Sequence, residues 1–152
     1  MSDNGAYMKK VLLQVEDLNA VIEKIKSEDF VDKDNIYLLG SSMGGVTVAT
    51  YAVTHTDDIK GIILQYPAIF LNEQAYEIGA EYDVNGYKNP VLLLQGDSDK
   101  VVPDKYSIEL CDHYNSIDKN HCRMIIYNGQ PHVFTGKYKV IAAKDIYEFI
   151  NS

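Results

Sequence analysis

Four short stretches, "NIYLLG" (35–40), "GIILQYP" (61–67), "PVLLLQG" (90–96) and "CRMIIYNG" (122–129), carry runs of consecutive apolar residues. Strands that are greasy on both faces must be covered on both faces, which is the situation of parallel strands between layers of helix. A parallel pair cannot close through a tight turn; each connection needs a crossover of about a dozen residues or more, usually a helix. The intervals supply them. Residues 9–27 place Val11, Leu12, Val15, Leu18, Val21, Ile22 and Ile25 at helical spacing. Helices are also expected over "MGGVTVATYAVTH" (43–55), over "DKYSIELCDHYNSI" (104–117) behind the start signals Pro103 and Asp104, and over "VIAAKDIYEFIN" (140–151). The expected fold is therefore α/β, a three-layer sandwich on a mainly parallel sheet of about four strands.

One interval breaks the alternation. Residues 68–89, "AIFLNEQAYEIGAEYDVNGYKN", are too mixed for a clear helix and too long for a plain connection. Part of the interval must still pack on the sheet as a crossover. Its aromatics Phe70, Tyr76, Tyr82 and Tyr87 suit either that packing or the lining of a pocket, and packing is the expectation.

At 152 residues, with 46% hydrophobic and 24% charged, the chain has the composition and length of a single globular domain, 1–152. A formal net charge of −8, with Lys and Arg scattered among acids, argues against nucleic-acid or anionic-membrane partners. No stretch approaches the roughly 18 uninterrupted apolar residues of a membrane span. The start "MSDNGAYMKK" lacks the basic-then-apolar order of a secretory signal. Two cysteines, Cys111 and Cys122, make a poor disulfide framework, so a reducing, cytoplasmic setting is expected.

The first apolar run leads straight into Gly40-Ser41-Ser42-Met43-Gly44-Gly45, small residues that weaken both strand and helix. A strand, Gly-x-Ser-x-Gly and a helix together make a nucleophile elbow. Gly40 and Gly44 are expected to flank Ser42 because the sharp turn crowds the backbone. The Met43 N–H, at the start of the helix, is placed to donate to a developing oxyanion. The same pattern occurs in plain turns, so an activating base and acid are the sharper test. Both follow in the order this arrangement uses. "QGDSDKVVP" puts Asp97 and Asp99 just after the third strand, and "NGQPHVF" puts His132 just after the fourth. Reactive groups gather at that carboxyl edge in open α/β sheets.

On these residues the chain resembles the α/β-hydrolases, nearest to the cinnamoyl/feruloyl esterase-like and serine aminopeptidase-like branch. "NIYLLGSSMGG" is similar to the elbow, "VLLLQGDSDKVVP" to the acid loop and "NGQPHVF" to the histidine loop. The resemblance covers roughly residues 10–150. It implies Ser42 as nucleophile, Asp99 rather than Asp97 as triad acid, His132 as base and the Met43 N–H as an oxyanion donor. It further implies a serine hydrolase that cleaves a small-molecule carboxylic ester through an acyl-enzyme, with no cofactor. Peptidase and thioesterase chemistry run on the same three groups.

The pattern also has departures. Ser41 and Gln95 stand where the branch often has histidines. About four strands expected before the first helix are absent, and with them the loop that carries the other oxyanion N–H. The chain is thus expected to be truncated at its N-terminus, with 68–89 a reduced lid or crossover. The strand at 35–40 is left with an unpaired apolar edge, an association hazard that suggests a homo-oligomer. The rival reading is a non-catalytic α/β-hydrolase-like fragment or binding module.

Cys111, His113, His121 and Cys122 lie within twelve residues. Their spacing splays the side chains apart instead of pairing them, so no metal site is expected. "GSSMGG" lacks the spacing and the Lys-Ser/Thr ending of a phosphate loop. His55, at the end of the elbow helix, is expected as a C-terminal cation.

Overall fold

The structure is a computed structural model and describes residues 4–71 and 84–152. Its elements run α1 (Asn4–Lys26), β1 (Tyr37–Ser41), α2 (Met43–Thr54), β2 (Gly61–Gln65), a single 3₁₀ turn (Val84–Gly86), β3 (Val91–Gly96), α3 (Asp104–Ile117), β4 (Cys122–Tyr127) and α4 (Tyr138–Ile150). The strands form one parallel sheet in the order β1-β2-β3-β4. This is the partial three-layer α/β-hydrolase architecture. The longest departure from the sequence expectation is α1, which begins five residues before Lys9. Ala6, Met8 and Lys9 are good helix formers, and the apolar periodicity that marks a helix in sequence starts only at Val11.

The period-2 geometry of a strand divides the apolar runs between two cores. Ile62, Leu64, Val91 and Leu93 face α2 and α3, in a core that also holds Val11 and Ile22 of α1, Val46, Ala49 and Ala52 of α2, and Leu110 and Tyr114 of α3. Their neighbours Ile63, Leu92 and Leu94 face the opposite way, against Phe134, Ala142 and Phe149. Three helices thus cover one face and α4 the other. Every residue of β3 is buried. The ends of the irregular interval join the first core, through Ile69, Val84 and Tyr87. Phe70 packs edge-on against Tyr106 of α3, with ring centroids 4.7 Å apart. Tyr76 and Tyr82 lie outside the described residues.

Among the described residues β1 pairs on one side only. The Ser42 N–H donates to the Gln65 carbonyl at 2.9 Å. Alternation then turns the backbone of Tyr37, Leu39 and Ser41 to the open side. Leu39, in the middle of that edge strand, is 48% exposed.

The cysteines correct the sequence expectation. Cys111, inside α3, and Cys122, the first residue of β4, are joined as a disulfide with Cα atoms 5.4 Å apart. Helix and strand are antiparallel neighbours joined by a short loop, and this brings the two positions side by side. Asn115 backs the bridge, its Oδ1 accepting the Cys122 N–H at 2.9 Å and its Nδ2 donating to the Cys122 carbonyl at 3.1 Å. The reducing setting inferred from unpaired cysteines loses that basis. No helix among the described residues is long and apolar enough to cross a membrane.

Candidate active site

The chain leaves β1 through Ser42, whose φ of 52° and ψ of −119° lie in a region that non-glycine residues rarely adopt. Backbone bonds hold the residue there. Its carbonyl accepts from the Gly45 N–H at 3.0 Å and the Ala68 N–H at 3.1 Å. Gly40 makes the turn possible, since a Cβ at that position would stand 2.3 Å from the Gly44 carbonyl oxygen. Gly44 differs from expectation, because a Cβ there would meet nothing within 4 Å. The crowding falls on Gly45 instead, where a Cβ would lie 2.9 Å from the Cβ of Pro67. α2 begins at Met43. Its N–H therefore belongs to the helix's first turn, with no intrahelical acceptor.

Around Ser42 three strand ends converge. The His132 Nε2 lies 3.0 Å from the Ser42 Oγ, and the His132 Nδ1 lies 2.8 Å from Asp99 Oδ2. The Asp99 carboxylate is buried and fully engaged. Oδ1 accepts the Val101 and Val102 N–H groups at 2.8 and 2.9 Å, and Oδ2 accepts from Gln95 Nε2 at 3.1 Å as well as from His132. Asp97, the other acid of this loop, points elsewhere. Its Oδ1 accepts from the Gly129 N–H at 2.7 Å and the Ser98 hydroxyl at 3.1 Å, tying the acid loop to the turn after β4.

Several residues that build the site were not singled out by sequence reasoning. A Cβ at Gly96 would stand 2.1 Å from the Gln130 carbonyl oxygen, so the acid and histidine loops touch backbone to backbone. The Ser98 N–H donates to that same carbonyl at 3.1 Å. The buried Gln130 side chain accepts the Thr135 N–H at 3.0 Å and closes the loop that presents His132. Phe134 anchors the loop between the rings of Tyr66 and Tyr127, at 5.1 and 4.9 Å. Burial, together with a hydrogen bond to Asp145, pushes the Tyr127 phenol above the ordinary phenol range. Tyr66, just past β2, carries a positive φ of 38° and packs its ring 4.7 Å from that of His132. Nothing in the sequence marks Tyr66 for this place, since its left-handed backbone shows only in the structure.

Other candidates resolve differently. His55 caps α2, with Nδ1 3.0 Å from the Tyr51 carbonyl, and its ring stacks on Tyr51 at 4.0 Å. His121 is buried against Tyr87 and Tyr114, its ring nitrogens without a hydrogen-bond partner among the described residues. Among the described residues no group of three or more His, Cys, Asp or Glu is arranged to hold a metal ion.

An oxygen, an imidazole and a carboxylate in hydrogen-bond sequence can move a proton off the hydroxyl while the carboxylate steadies the imidazolium. Comparisons with known proteins bear on the family and the fold. Residues 3–85 match the family described as serine aminopeptidase, S33, and residues 71–152 match the prolyl oligopeptidase family. A proline iminopeptidase from Elizabethkingia meningoseptica is 35% identical over 43 residues, 28% of this chain and 14% of that protein. Est1E from Butyrivibrio proteoclasticus superposes with a TM-score of 0.72 at 23% identity, over 90% of this chain and 69% of that one. Porphyromonas gingivalis dipeptidyl peptidase 4 gives 0.78 at 18% identity, over 92% of this chain and 22% of that one. At such identities these two likenesses are of fold. Each family match spans more than half of the chain, one from either end, and the chain belongs to the α/β-hydrolase superfamily, among its serine aminopeptidase S33 and prolyl oligopeptidase families.

Proposed function

We propose that the chain is a serine hydrolase that cleaves a small-molecule carboxylic ester. The observation that carries the reading is the continuous line Ser42 Oγ, His132 Nε2, His132 Nδ1, Asp99 Oδ2, drawn from the ends of three separate strands. In the proposed reaction Ser42 Oγ attacks the ester carbonyl carbon while its proton passes to His132 Nε2. The Met43 N–H donates to the tetrahedral oxyanion. Collapse breaks the bond to the alcohol oxygen, which takes the proton from His132 Nε2. A water then attacks the acyl-enzyme with His132 as base, and the acid leaves as Ser42 regains its proton. Asp99 accepts the Nδ1–H throughout. An ester suits this site better than an amide, because its carbonyl carbon is the more electrophilic and its alcohol oxygen departs with less help from the acid than an amide nitrogen, which must be protonated before it leaves. The fold likeness to Est1E is consistent with that choice; the family matches keep peptides as the competing substrate class.

Intact-mass labelling with a fluorophosphonate tests the reading. One adduct on the parent chain and none on Ser42→Ala is expected, together with turnover of an aryl acetate faster than of an aminoacyl anilide. Faster anilide cleavage overturns the ester assignment. A folded parent without adduct overturns catalysis and leaves the second reading, a binding module.

That second reading has its own observation, the side of β1 left unpaired among the described residues, in a strand that carries the half-exposed Leu39. Pairing of two copies along this edge would give twice the monomer mass by light scattering at micromolar concentration. Leu39→Lys, a charge of the kind that blunts strand edges, is then expected to restore the monomer. A dimer that survives Leu39→Lys joins through another surface.

A further inference from the structure

Gln95 interrupts an otherwise apolar, wholly buried strand and is itself fully buried. A polar side chain in such a place is costly unless its hydrogen bonds are met. Here they are met in one direction. Nε2 faces three acceptors, Asp99 Oδ2 at 3.1 Å, the Val102 carbonyl at 3.1 Å and the Gly96 carbonyl at 3.2 Å. Only the NH₂ end of an amide can face three acceptors, so the orientation follows from the surroundings. Oε1 must then accept, and its donor is the hydroxyl of Ser107, 2.7 Å away and also fully buried. Ser107 lies in the first turn of α3.

The line of donors therefore runs Ser107 O–H to Gln95, Gln95 N–H to Asp99, and meets the His132 N–H at the same oxygen, Asp99 Oδ2. Backbone N–H groups hold Oδ1 alone. They fix one end of the carboxylate and leave its rotation to be set at the other. We infer that Gln95, itself oriented by Ser107, is a positioning residue that sets the rotation of the Asp99 carboxylate and so the aim of His132 at Ser42. This rests on the serine-hydrolase reading above. Without the amide, Oδ2 can swing out of the imidazole plane, and the Nε2 lone pair turns away from the Ser42 hydroxyl with it.

The test compares the parent with Gln95→Met, which keeps the volume and removes the donor, and with Ser107→Ala, which leaves the amide and removes its anchor. Three readouts are taken: circular dichroism for the fold, the rate of fluorophosphonate labelling at Ser42, and the low-field proton resonance of His132 Nδ1–H. Gln95→Met is expected to label about 10–100-fold more slowly, the loss typical of a small misplacement of a reacting group. Its Nδ1–H resonance should shift or broaden while the dichroism is kept. Ser107→Ala should move both readouts the same way by less. With an aryl ester the loss should appear in kcat, with KM little changed. A folded Gln95→Met that labels at the parent rate with an unmoved resonance overturns the inference, and Gln95 is then a strap for the acid loop alone. Should Gln95→Met fail to fold, Ser107→Ala decides by the same two readouts. A parent that does not label overturns the hydrolase reading; the resonance still reports whether Gln95 and His132 are coupled through Asp99.

Discussion

Single atoms decide whether this site closes. Gly96 and Gly44 are both glycines beside reactive residues, yet only one is crowded. Gly96→Ala would push a methyl into the Gln130 carbonyl at 2.1 Å, separating the acid loop from the histidine loop. Loss of nearly all Ser42 labelling is expected, with a lower unfolding midpoint in urea. Gly44→Ala has open space and lies in a helix, where alanine is favoured over glycine by about 1 kcal/mol. The same denaturation experiment should show its midpoint unchanged or raised. His121 gives a third case. Its two ring nitrogens are buried without partners among the described residues, a loss of about 1–3 kcal/mol for each unmet group. His121→Phe keeps the ring against Tyr87 and Tyr114 and removes the unmet groups, so it is expected to stabilise the fold. A lower midpoint would mean that the imidazole has a partner in solution. None of these three distinctions is visible in the sequence, where a glycine carries no record of its neighbour and a histidine none of its burial.

Strands and helices were far more legible. Apolar runs mark all four strands to within two residues, and α3 spans the residues its start signals indicate. The reason is physical: period and burial are repeated over many positions, so no single residue must be read correctly. The disulfide was not legible because its geometry depends on how α3 returns along β4, a tertiary fact. Crosslinking across a separation of 11 residues should stabilise the chain by about 2–3 kcal/mol on loop-closure grounds. Urea denaturation with and without dithiothreitol measures it, with Cys111→Ser/Cys122→Ser as the control. If the bridge also steadies α3, and through it Ser107, reduction should slow Ser42 labelling as well.

The order Ser42, Asp99, His132 could be read from the chain because each follows its own strand, and the fold brings those three strand ends to one edge. The shell around them, Gln95, Gly96, Gln130, Phe134 and Tyr66, could not, since each acts through a neighbour distant in sequence. The first core also sets a response to alkali. Burial pushes the phenols of Tyr87 and Tyr114 well above the ordinary value near 10. The folded chain thus binds those protons more tightly than the unfolded chain. Their contribution is complete below about pH 10 and is lost as pH rises beyond it, by up to ~1.4 kcal/mol per pH unit for each phenol. Urea midpoints measured upward from about pH 9 should fall with that slope. The Tyr87→Phe/Tyr114→Phe variant, which gives up no hydrogen bond among the described residues, should flatten it.

Spatial order in the sheet follows chain order, β1 to β4. During synthesis the hydroxyl of Ser42 arrives first, the carboxylate of Asp99 next and the imidazole of His132 last, 33 residues after Asp99. At about 5–20 residues per second that final gap lasts about 2–7 s. A growing chain therefore holds Ser42 without its imidazole neighbour until β4 and the loop after it emerge.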